Sequence, residues 1–312
     1  MLTMLLLACR LNDCKRTRAM YNRVMVSQFV NPFTDFGFKK LFGEEASKPL
    51  LKDFLNSLLP ATAQIKALSF QSGERLGRRP GDRRAIFDIS CESESGEKFI
   101  VEMQKEKQKW FKDRTVFYAS FPIQEQAQKG EWDFELAAVY CVGILDFRFD
   151  EPGESAEQRA EVLHTVCLKN QHNQVFYDKL TLLYLEMPNF QKTEAQLETR
   201  LDQWLYFLKH LEDFEEIPRI FGGEEVFETA FQISRLAAMG REERYDYEMS
   251  LKVYRDNFNV VRTARDEGWE QGREVGLEQG REQGMQQGLN DALRRLMDSG
   301  MEEGAARKLL GL

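Results

Sequence analysis

Two short apolar segments, AIFDIS and FIVEMQ, flank the polar sequence CESESGEK, and together they predict a β-hairpin. We expect a three-residue turn over 94–96, which places Ser93 opposite Glu97. The same antiparallel register places Asp88 opposite Glu102, with Cβ atoms about 4.5–5.5 Å apart on one face. Two like charges at this distance destabilise a hairpin unless a cation lies between them. The hairpin therefore predicts a divalent-cation site.

The alternation of side chains along the two strands defines the two faces of this hairpin. Gln104 lies two residues after Glu102 and is expected on the face of the acids, whereas Lys105 is expected on the other face. The members expected on that other, apolar face are Phe87, Ile89, Cys91, Phe99, Val101 and Met103. Pairing alone leaves two interpretations open, a metal site and an ordinary solvated face. A four-residue turn would also change the register.

Further segments accompany the hairpin in a definite order. Upstream lies NPFTDFGFKKLFG, and downstream lie a helical stretch with Arg114 and Tyr118, then EQAQKGEW, then the apolar run AAVYCVGILDF. This order resembles the PD-(D/E)XK nuclease-family transposases, close to the recombination-promoting nuclease group. The resemblance is closest over 31–150 and extends more loosely to the C-terminal tail.

The resemblance implies an α/β fold with a restriction-endonuclease-like core, a mixed central sheet flanked by helices, followed by a helical C-terminal region. It implies an endonuclease that hydrolyses DNA with Mg2+, or another divalent cation such as Mn2+, in transposition or recombination. At the matching positions, Asp88 and Glu102 are the two acids that bind the metal, and Gln104 stands where the wider superfamily has lysine. Asp35, in the opening helix, matches an acid close to the metal. These four are the candidate catalytic residues.

The residue types agree with this chemistry. Carboxylates are the hard oxygen ligands that Mg2+ prefers. Gln104 would orient a water or a phosphate oxygen but brings no positive charge, so we expect slower cleavage than in lysine-bearing relatives. Two other functions stay open: a catalytically weak or inactive relative that binds DNA or a protein partner, and a purely structural coiled oligomer.

The net charge of −8 gives no overall attraction to nucleic acid. The prediction of DNA binding therefore rests on local clusters of basic residues. Five arginines fall within ten residues before the first acid: Arg75, Arg78, Arg79, Arg83 and Arg84. Four lysines after the second strand extend this cluster: Lys105, Lys107, Lys109 and Lys112. The DNA-binding candidates are Arg83, Arg84, Lys105 and, through the resemblance, Arg114. A solvated basic surface is the alternative.

Other metal and nucleophile chemistries find no support in the sequence. The five cysteines show no CxxC spacing, and Cys91, Cys141 and Cys167 lie in apolar runs, which predicts small core residues in a reducing compartment. The three histidines form no ligand cluster in the sequence.

Periodicity and turn signals predict the remaining elements. They are a helix pair at 34–59, a strand at 65–70, a helix at 108–129 ended by Gly130, strands at 136–147 and 161–168, and helices at 195–210, 224–239 and 241–259. The chain is divided into four parts: 1–30, a leader or overcalled start expected to be poorly ordered; 31–190, the nuclease-like domain; 191–260, a helical region packing on the core; and 261–312, a glycine-spaced helical tail.

In the tail, glycines recur every four residues from Gly268 to Gly288 and would form one column on a helix. Each glycine costs about 0.8–1 kcal/mol relative to alanine. Either a neighbouring helix packs against the column, which makes a homo-oligomer our hypothesis, or the tail is a solvated arm. The chain has no apolar stretch of about 18 residues, so we expect no membrane partner and a cytoplasmic location.

Overall fold

A computed structural model of the chain describes residues 27–72, 74–75, 85–127, 130, 133–149 and 151–312. The chain divides into two compact units, one ending at Leu251 and the other running Lys252–Leu312. The finer four-part division stays a prediction.

The helices are α1 Asp35–Phe42, α2 Lys48–Leu58, α3 Phe111–Glu125, α4 Ala156–Ala160, α5 Arg200–His210, α6 Glu225–Ser234, α7 Arg241–Asp298 and α8 Glu303–Leu310. The strands are β1 Leu68–Gln71, β2 Glu74–Arg75, β3 Ala85–Ile86, β4 Ile89–Ser93, β5 Lys98–Gln104, β6 Val139–Leu145, β7 Leu163–Lys169 and β8 Val175–Glu186. Short 3-10 turns are Glu45–Ser47, Ala61–Ala63, Met187–Asn189, Glu194–Gln196, Leu211–Asp213, Arg219–Phe221 and Leu236–Ala238.

A mixed six-stranded sheet has the order β1-β4-β5-β6-β8-β7, and β2 pairs with β3 separately. β4 is antiparallel to β1 and β5, the strands β5, β6 and β8 are parallel, and β7 is antiparallel to β8. Because β5 and β6 are parallel, their connection must cross a face of the sheet, and α3 lies in it. This confirms the predicted α/β fold, a mixed sheet flanked by helices and followed by a helical region.

The predicted register of the hairpin is confirmed by the pairing of β4 with β5. Across the turn, the backbone N–H of Ser93 donates to the carbonyl of Glu97 at 3.0 Å. Gly96 supplies the positive φ of 92° that a three-residue turn needs. The same register, continued one residue beyond β4, places Asp88 opposite Glu102.

Phe87 is an exception to the predicted alternation. Its ring contacts those of Tyr118 and Phe121 in α3, with centroid distances of 5.1 and 6.2 Å. It therefore packs on the same side as the acids, and its predicted place beside Ile89 is wrong. Alternation holds only within a strand, and β4 begins after Phe87.

Both faces of the sheet are buried at the hairpin. Beneath α3 lies a core that contains Ile100, Val139, Cys141, Leu145, Leu182 and Tyr184. On the opposite face, Ile89, Phe99 and Val101 are at most 3% exposed. The side chain of Glu102 is only 16% exposed. The interpretation of the acids as part of an ordinary solvated face is therefore wrong.

Helices α1, α2, α5 and α6 pack together around aromatic side chains. Trp204 is fully buried at the centre of this cluster. Its ring lies 4.8–5.9 Å, between centroids, from those of Phe42, Phe54, Phe207 and Phe227. Asp53 accepts a hydrogen bond from Trp204 Nε1 (2.7 Å) and pairs with Arg200 through both carboxylate oxygens (2.7 and 3.1 Å). One carboxylate thus joins α2 to α5.

Residues 27–30 pack against the segment that follows α6. The backbone N–H of Val30 donates to the carbonyl of Ser234 at 2.9 Å, and Phe29 and Val30 are both buried. Residues 1–26, the rest of the expected leader, lie outside the described residues.

The NPFTDFGF segment is organised around the carbonyl of Asn31. This oxygen accepts hydrogen bonds from the backbone N–H and the hydroxyl of Thr34, at 3.2 and 2.8 Å. The hydroxyl of Thr34 in turn accepts from the backbone N–H of Gly37 at 3.0 Å and caps α1. A Cβ on Gly37 would lie 2.1 Å from the Asn31 oxygen. The motif therefore fixes the start of α1, which carries Asp35.

Two predicted helix ends are wrong for identifiable reasons. α3 ends at Glu125 instead of near Gly130, because the backbone N–H groups of Gln126 and Ala127 bond to carbonyls three residues back, at 3.3 and 3.2 Å, and not four. The Gln126 side chain then bonds the backbone of Ala137, at 2.7 Å to its N–H and 3.3 Å to its carbonyl. α6 ends at Ser234 because the backbone N–H of Leu236 bonds elsewhere, to the carbonyl of Gln28 at 2.9 Å.

The helix predicted at 241–259 continues as α7 through the glycine column to Asp298. Among the described residues, no atom outside the helix's own turns lies within 4 Å of a Cβ placed on the glycines from Gly268 to Gly288. Across the described ranges, no helix has the length and apolarity to cross a membrane.

We expect Gly37→Ala to lower the free energy of unfolding by about 1–3 kcal/mol, because the added methyl group overlaps the Asn31 carbonyl. Thermal unfolding followed by circular dichroism measures this loss. Gly268→Ala is the matched control, because its methyl group meets open space and alanine favours a helix. Equal melting temperatures for Gly37→Ala and wild type would contradict the assigned role of this glycine.

Candidate active site

Asp88 and Glu102 lie side by side where the β4–β5 ladder ends. Asp88 occupies the bend before β4, and its Oδ2 accepts a hydrogen bond from the backbone N–H of Met103 at 2.9 Å. The carboxylate thus takes the place of a backbone acceptor and is anchored beside Glu102. Oε1 of Glu102 is buried and has no hydrogen-bond partner among the described residues. Such an orphaned carboxylate oxygen is costly unless a further ligand reaches it.

Arg114 of α3 covers this pair. Its Nη2 lies 3.6 Å from Oε2 of Glu102 and donates to Oε1 of Gln104, while Nη1 donates to Oε1 of Gln108 at 2.7 Å. The guanidinium also lies 5.6 Å from the ring centroid of Tyr118. The structure therefore brings Glu102, Gln104, Arg114 and Tyr118 together, and the two glutamine side chains fix the arginine in place.

The environment shifts the pKa of both acids upward. Burial, followed by the charge of Asp88, raises the pKa of Glu102 to about 8, and Arg114 and the backbone N–H of Asp88 oppose the rise. Burial is also the main cause that raises the pKa of Asp88, against the hydrogen bond from Met103. Without a cation, Glu102 therefore holds a proton near neutral pH.

Asp35 lies at the rim of the site. Its side chain is 64% exposed and pairs with Lys39 of the same helix at 2.9 Å. Its charge contributes to the raised pKa of Asp88, which places it within electrostatic reach of the acids. A role for Asp35 in catalysis stays a prediction.

Lys105 follows β5, which ends at Gln104. Burial lowers the pKa of Lys105, while the charges of Asp35, Asp88 and Asp146 oppose this shift. Its ammonium group therefore lies within electrostatic reach of the acidic site. The orientation expected for its side chain, away from the acids, stays a prediction.

Asp146 lies next to this site, a position that the sequence patterns did not predict. It follows β6, and its backbone N–H donates to the carbonyl of Gln104 at 3.0 Å. The only signal in the sequence is an acid directly after an apolar run, at the end of ILDF. The position of Asp146 points to the site only when β6 is known to lie parallel to β5, because the carboxyl ends of parallel strands meet at one edge of the sheet.

The predicted DNA-binding cluster is described only in part. Arg83 and Arg84 lie outside the described residues, as do Arg78 and Arg79. Of the lysines that were expected to extend the cluster, Lys112 forms an exposed ion pair with Glu151.

Comparison with known proteins identifies the family. The family model "PD-(D/E)XK nuclease family transposase" matches residues 32–264, most of the chain. The chain belongs to this family. Searches of curated proteins and of solved structures give no match. The matched range begins one residue into the Asn31–Gly43 motif. It includes the hairpin and the helices α1, α2, α3, α5 and α6.

PD-(D/E)XK nucleases generally use divalent metal ions, and the residues of this family member fit such an ion. The donors are carboxylate oxygens, and the orphaned Oε1 of Glu102 needs a partner. Over the described part of the chain, no group of three or more His, Cys, Asp and Glu side chains could hold a metal. Mg2+ does not require such a group, because it is often bound through one or two carboxylates plus water and phosphate.

For this PD-(D/E)XK family member, we expect stability to fall with rising pH in the absence of divalent cations. In the folded protein the pKa of Glu102 is about 8, against an ordinary value of 4.5. The contribution of this group to stability is therefore complete below pH 4.5 and is lost as the pH rises from 4.5 to 8. The loss should be on the order of 5 kcal/mol, since one unit of pKa difference corresponds to about 1.4 kcal/mol.

Urea unfolding in EDTA at several pH values measures this dependence, with Glu102→Gln as the control because its amide does not titrate. Wild type and variant should diverge as the pH rises, and Mg2+ should restore the stability of the wild type alone. Parallel curves for the two proteins would show that Glu102 does not carry the raised pKa.

Proposed function

We propose that this chain is a metal-dependent DNA endonuclease that hydrolyses phosphodiester bonds with Mg2+ or Mn2+, in the service of transposition or recombination. The observation that carries the proposal is the buried pair of Asp88 and Glu102, with one orphaned carboxylate oxygen beneath the guanidinium of Arg114. The family supports a nuclease or transposase-like function in general.

Asp88 and Glu102 would hold the ion, which when bound would polarise the scissile phosphate and lower the pKa of an attacking water. Arg114 supplies a fixed positive charge for the negative charge that develops on the phosphate. Because Gln104 and Gln108 already bind the guanidinium, it needs little reorganisation during the reaction. This preorganisation is what an electrostatic catalyst requires.

Gln104 is best assigned as a positioning residue. Its Oε1 accepts from Arg114 and its Nε2 donates to the carbonyl of Glu106 at 3.1 Å, so both amide atoms are engaged. The positive charge that a lysine would bring at this position is supplied instead by Arg114 and by Lys105, which lies within electrostatic reach of Asp88. DNA binding through Arg83, Arg84, Lys105 and Arg114 belongs to the same proposal.

The alternative is a catalytically weak relative that binds DNA or a protein partner. The observation that favours it is the glutamine at position 104, with Glu102 holding a proton near pH 7 in the absence of metal. DNA binding without cleavage, tested with several divalent metals, would support this alternative over the nuclease.

Self-association through α7 is a second proposal. The glycine column offers a smooth strip on which a second helix could approach closely. Trp269, Leu277 and Met285 lie beside this column and are exposed. Burying these side chains against a second copy would offset the cost of the glycines.

We expect Asp88→Ala and Glu102→Ala to lower Mg2+-dependent nicking of supercoiled plasmid by at least about 100-fold, because loss of a metal ligand removes several kcal/mol of transition-state stabilisation. Glu92→Ala is the matched control: Glu92 lies on the same hairpin and forms an ion pair with Lys98, one residue from the turn. The site assignment fails if all four proteins nick plasmid equally fast.

We expect truncation after Ala264 to reduce the sedimentation coefficient to that of a monomer, because the glycine column is removed. Sedimentation velocity over a range of protein concentrations measures this change. Replacing Gly272, Gly276 and Gly280 together by alanine tests the column itself, since the helix is retained while close approach is blocked. An unchanged oligomeric state after truncation would disprove self-association through the tail.

A further inference from the structure

The outward face of α3 is unusually apolar. Phe117 is 50% exposed and Val116 is 56% exposed. The inward face of the same helix already buries Phe111 and Ala119 in the core. A helix at the surface normally carries polar side chains on its outward face. The exposed ring of Phe117 is available for contact with a ligand.

The ring of Phe117 is linked to the acid pair through direct neighbours. Its centroid lies 6.3 Å from that of Tyr118, which lies 5.6 Å from the guanidinium of Arg114, and Arg114 lies 3.6 Å from Glu102. The charges of Glu102 and Asp88 also act on Tyr118, whose pKa is raised chiefly by burial. A strand whose phosphate reaches the acids would therefore bring a neighbouring nucleotide close to α3.

The exposed ring is also held in one position. The ring of Phe121 packs edge-on against Phe117 at 5.0 Å, with an interplanar angle of 86°. The ring of Tyr118 lies 6.3 Å from it, between centroids, at an angle of 45°. Because these neighbours fix one part of the ring, a flat ligand could bind to the exposed part with little loss of side-chain entropy.

Basic and aromatic side chains lie together at the start of α3. Asp113, one turn before Phe117, and Glu125, the last residue of the helix, are exposed acids, but the residues between them include neither aspartate nor glutamate. At the start of the helix, the ammonium of Lys109 lies 5.0 Å from the ring of Trp110. Aromatic rings interleaved with basic side chains are typical of surfaces that bind single-stranded nucleic acid.

We propose that Phe117 stacks on an unpaired nucleobase next to the scissile phosphate, so that the enzyme prefers single-stranded, frayed or bulged DNA to fully paired duplex. The inference deepens the proposed nuclease function and rests on it. In a duplex, both faces of each base are covered by neighbours, whereas an unpaired base has a free π-face for the phenyl ring. Phe117 therefore acts as a specificity-determining residue and not as a group in the chemical step.

Fluorescence of oligonucleotides that contain 2-aminopurine tests the stacking directly, because this base loses emission when it stacks on an aromatic ring. Full-length protein is titrated in Ca2+ into a single strand, and the same sequence is tested as a paired duplex. We expect quenching for the single strand. Phe117→Ala and Phe117→Leu should abolish the quenching and weaken binding by about 5- to 100-fold, whereas Phe117→Trp should retain both.

Val116→Ala is the matched control, because Val116 is the adjacent residue with similar exposure and no aromatic ring. It should bind and quench like wild type, and circular dichroism verifies that each variant is folded. Cleavage of a bulged duplex should exceed that of a paired duplex in Mg2+ for the wild type, and the difference should disappear in Phe117→Ala.

Several outcomes would overturn the proposal. One is equal binding of every DNA by Phe117→Ala and Val116→Ala, and another is unquenched 2-aminopurine in the bound wild-type complex. A changed sedimentation coefficient in Phe117→Ala would assign the face to a protein interface instead. If the wild type cleaves no DNA while the quenching depends on Phe117, the nuclease function fails and the stacking site stands.

Discussion

The antiparallel pairing of β4 with β5 is the constraint on which the rest of the site depends. It carries Asp88 and Glu102 to one face, and a slip of one residue would move an acid to the opposite face. Apolar side chains on both faces of β5 prevent such a slip, since each would lose its buried position. The parallel pairing of β5 with β6 then requires a crossover, and the crossover helix α3 delivers Arg114 and Tyr118 above the acids.

Burial by α3 gives these carboxylates their chemical character. In water, two acids at the end of a hairpin would repel each other weakly and remain charged. Beneath a helix, the two carboxylates cannot both ionise unless a positive charge offsets their burial and repulsion. The guanidinium of Arg114, 3.6 Å from Glu102, offsets these costs only in part, because the pKa of Glu102 remains raised. In the absence of a cation, a proton on Glu102 supplies the missing compensation.

Local rules predicted the parts of the site that lie within regular elements. The register, the shared face of Glu102 and Gln104, and the helix with Arg114 follow from alternation, turn length and motif order. Phe87 and Lys105 lie just beyond strand ends, where alternation no longer applies. Asp146 comes from a strand whose parallel neighbour is determined only by tertiary packing. The tail was predicted to be helical, but the glycine column left its continuity with the preceding helix open; Glu, Gln and Arg between the glycines favour the continuous helix α7.

The hydrogen bond between Asp88 and the Met103 amide has a consequence for the choice of amino acid at this position. One carboxylate oxygen completes the backbone pairing of two strands, so the distance from Cα to that oxygen is set by the spacing of the strands. Glutamate has the same charge but one methylene more, and it would have to fold back to reach the amide. The sheet therefore selects aspartate by side-chain length, independently of any demand made by the reaction.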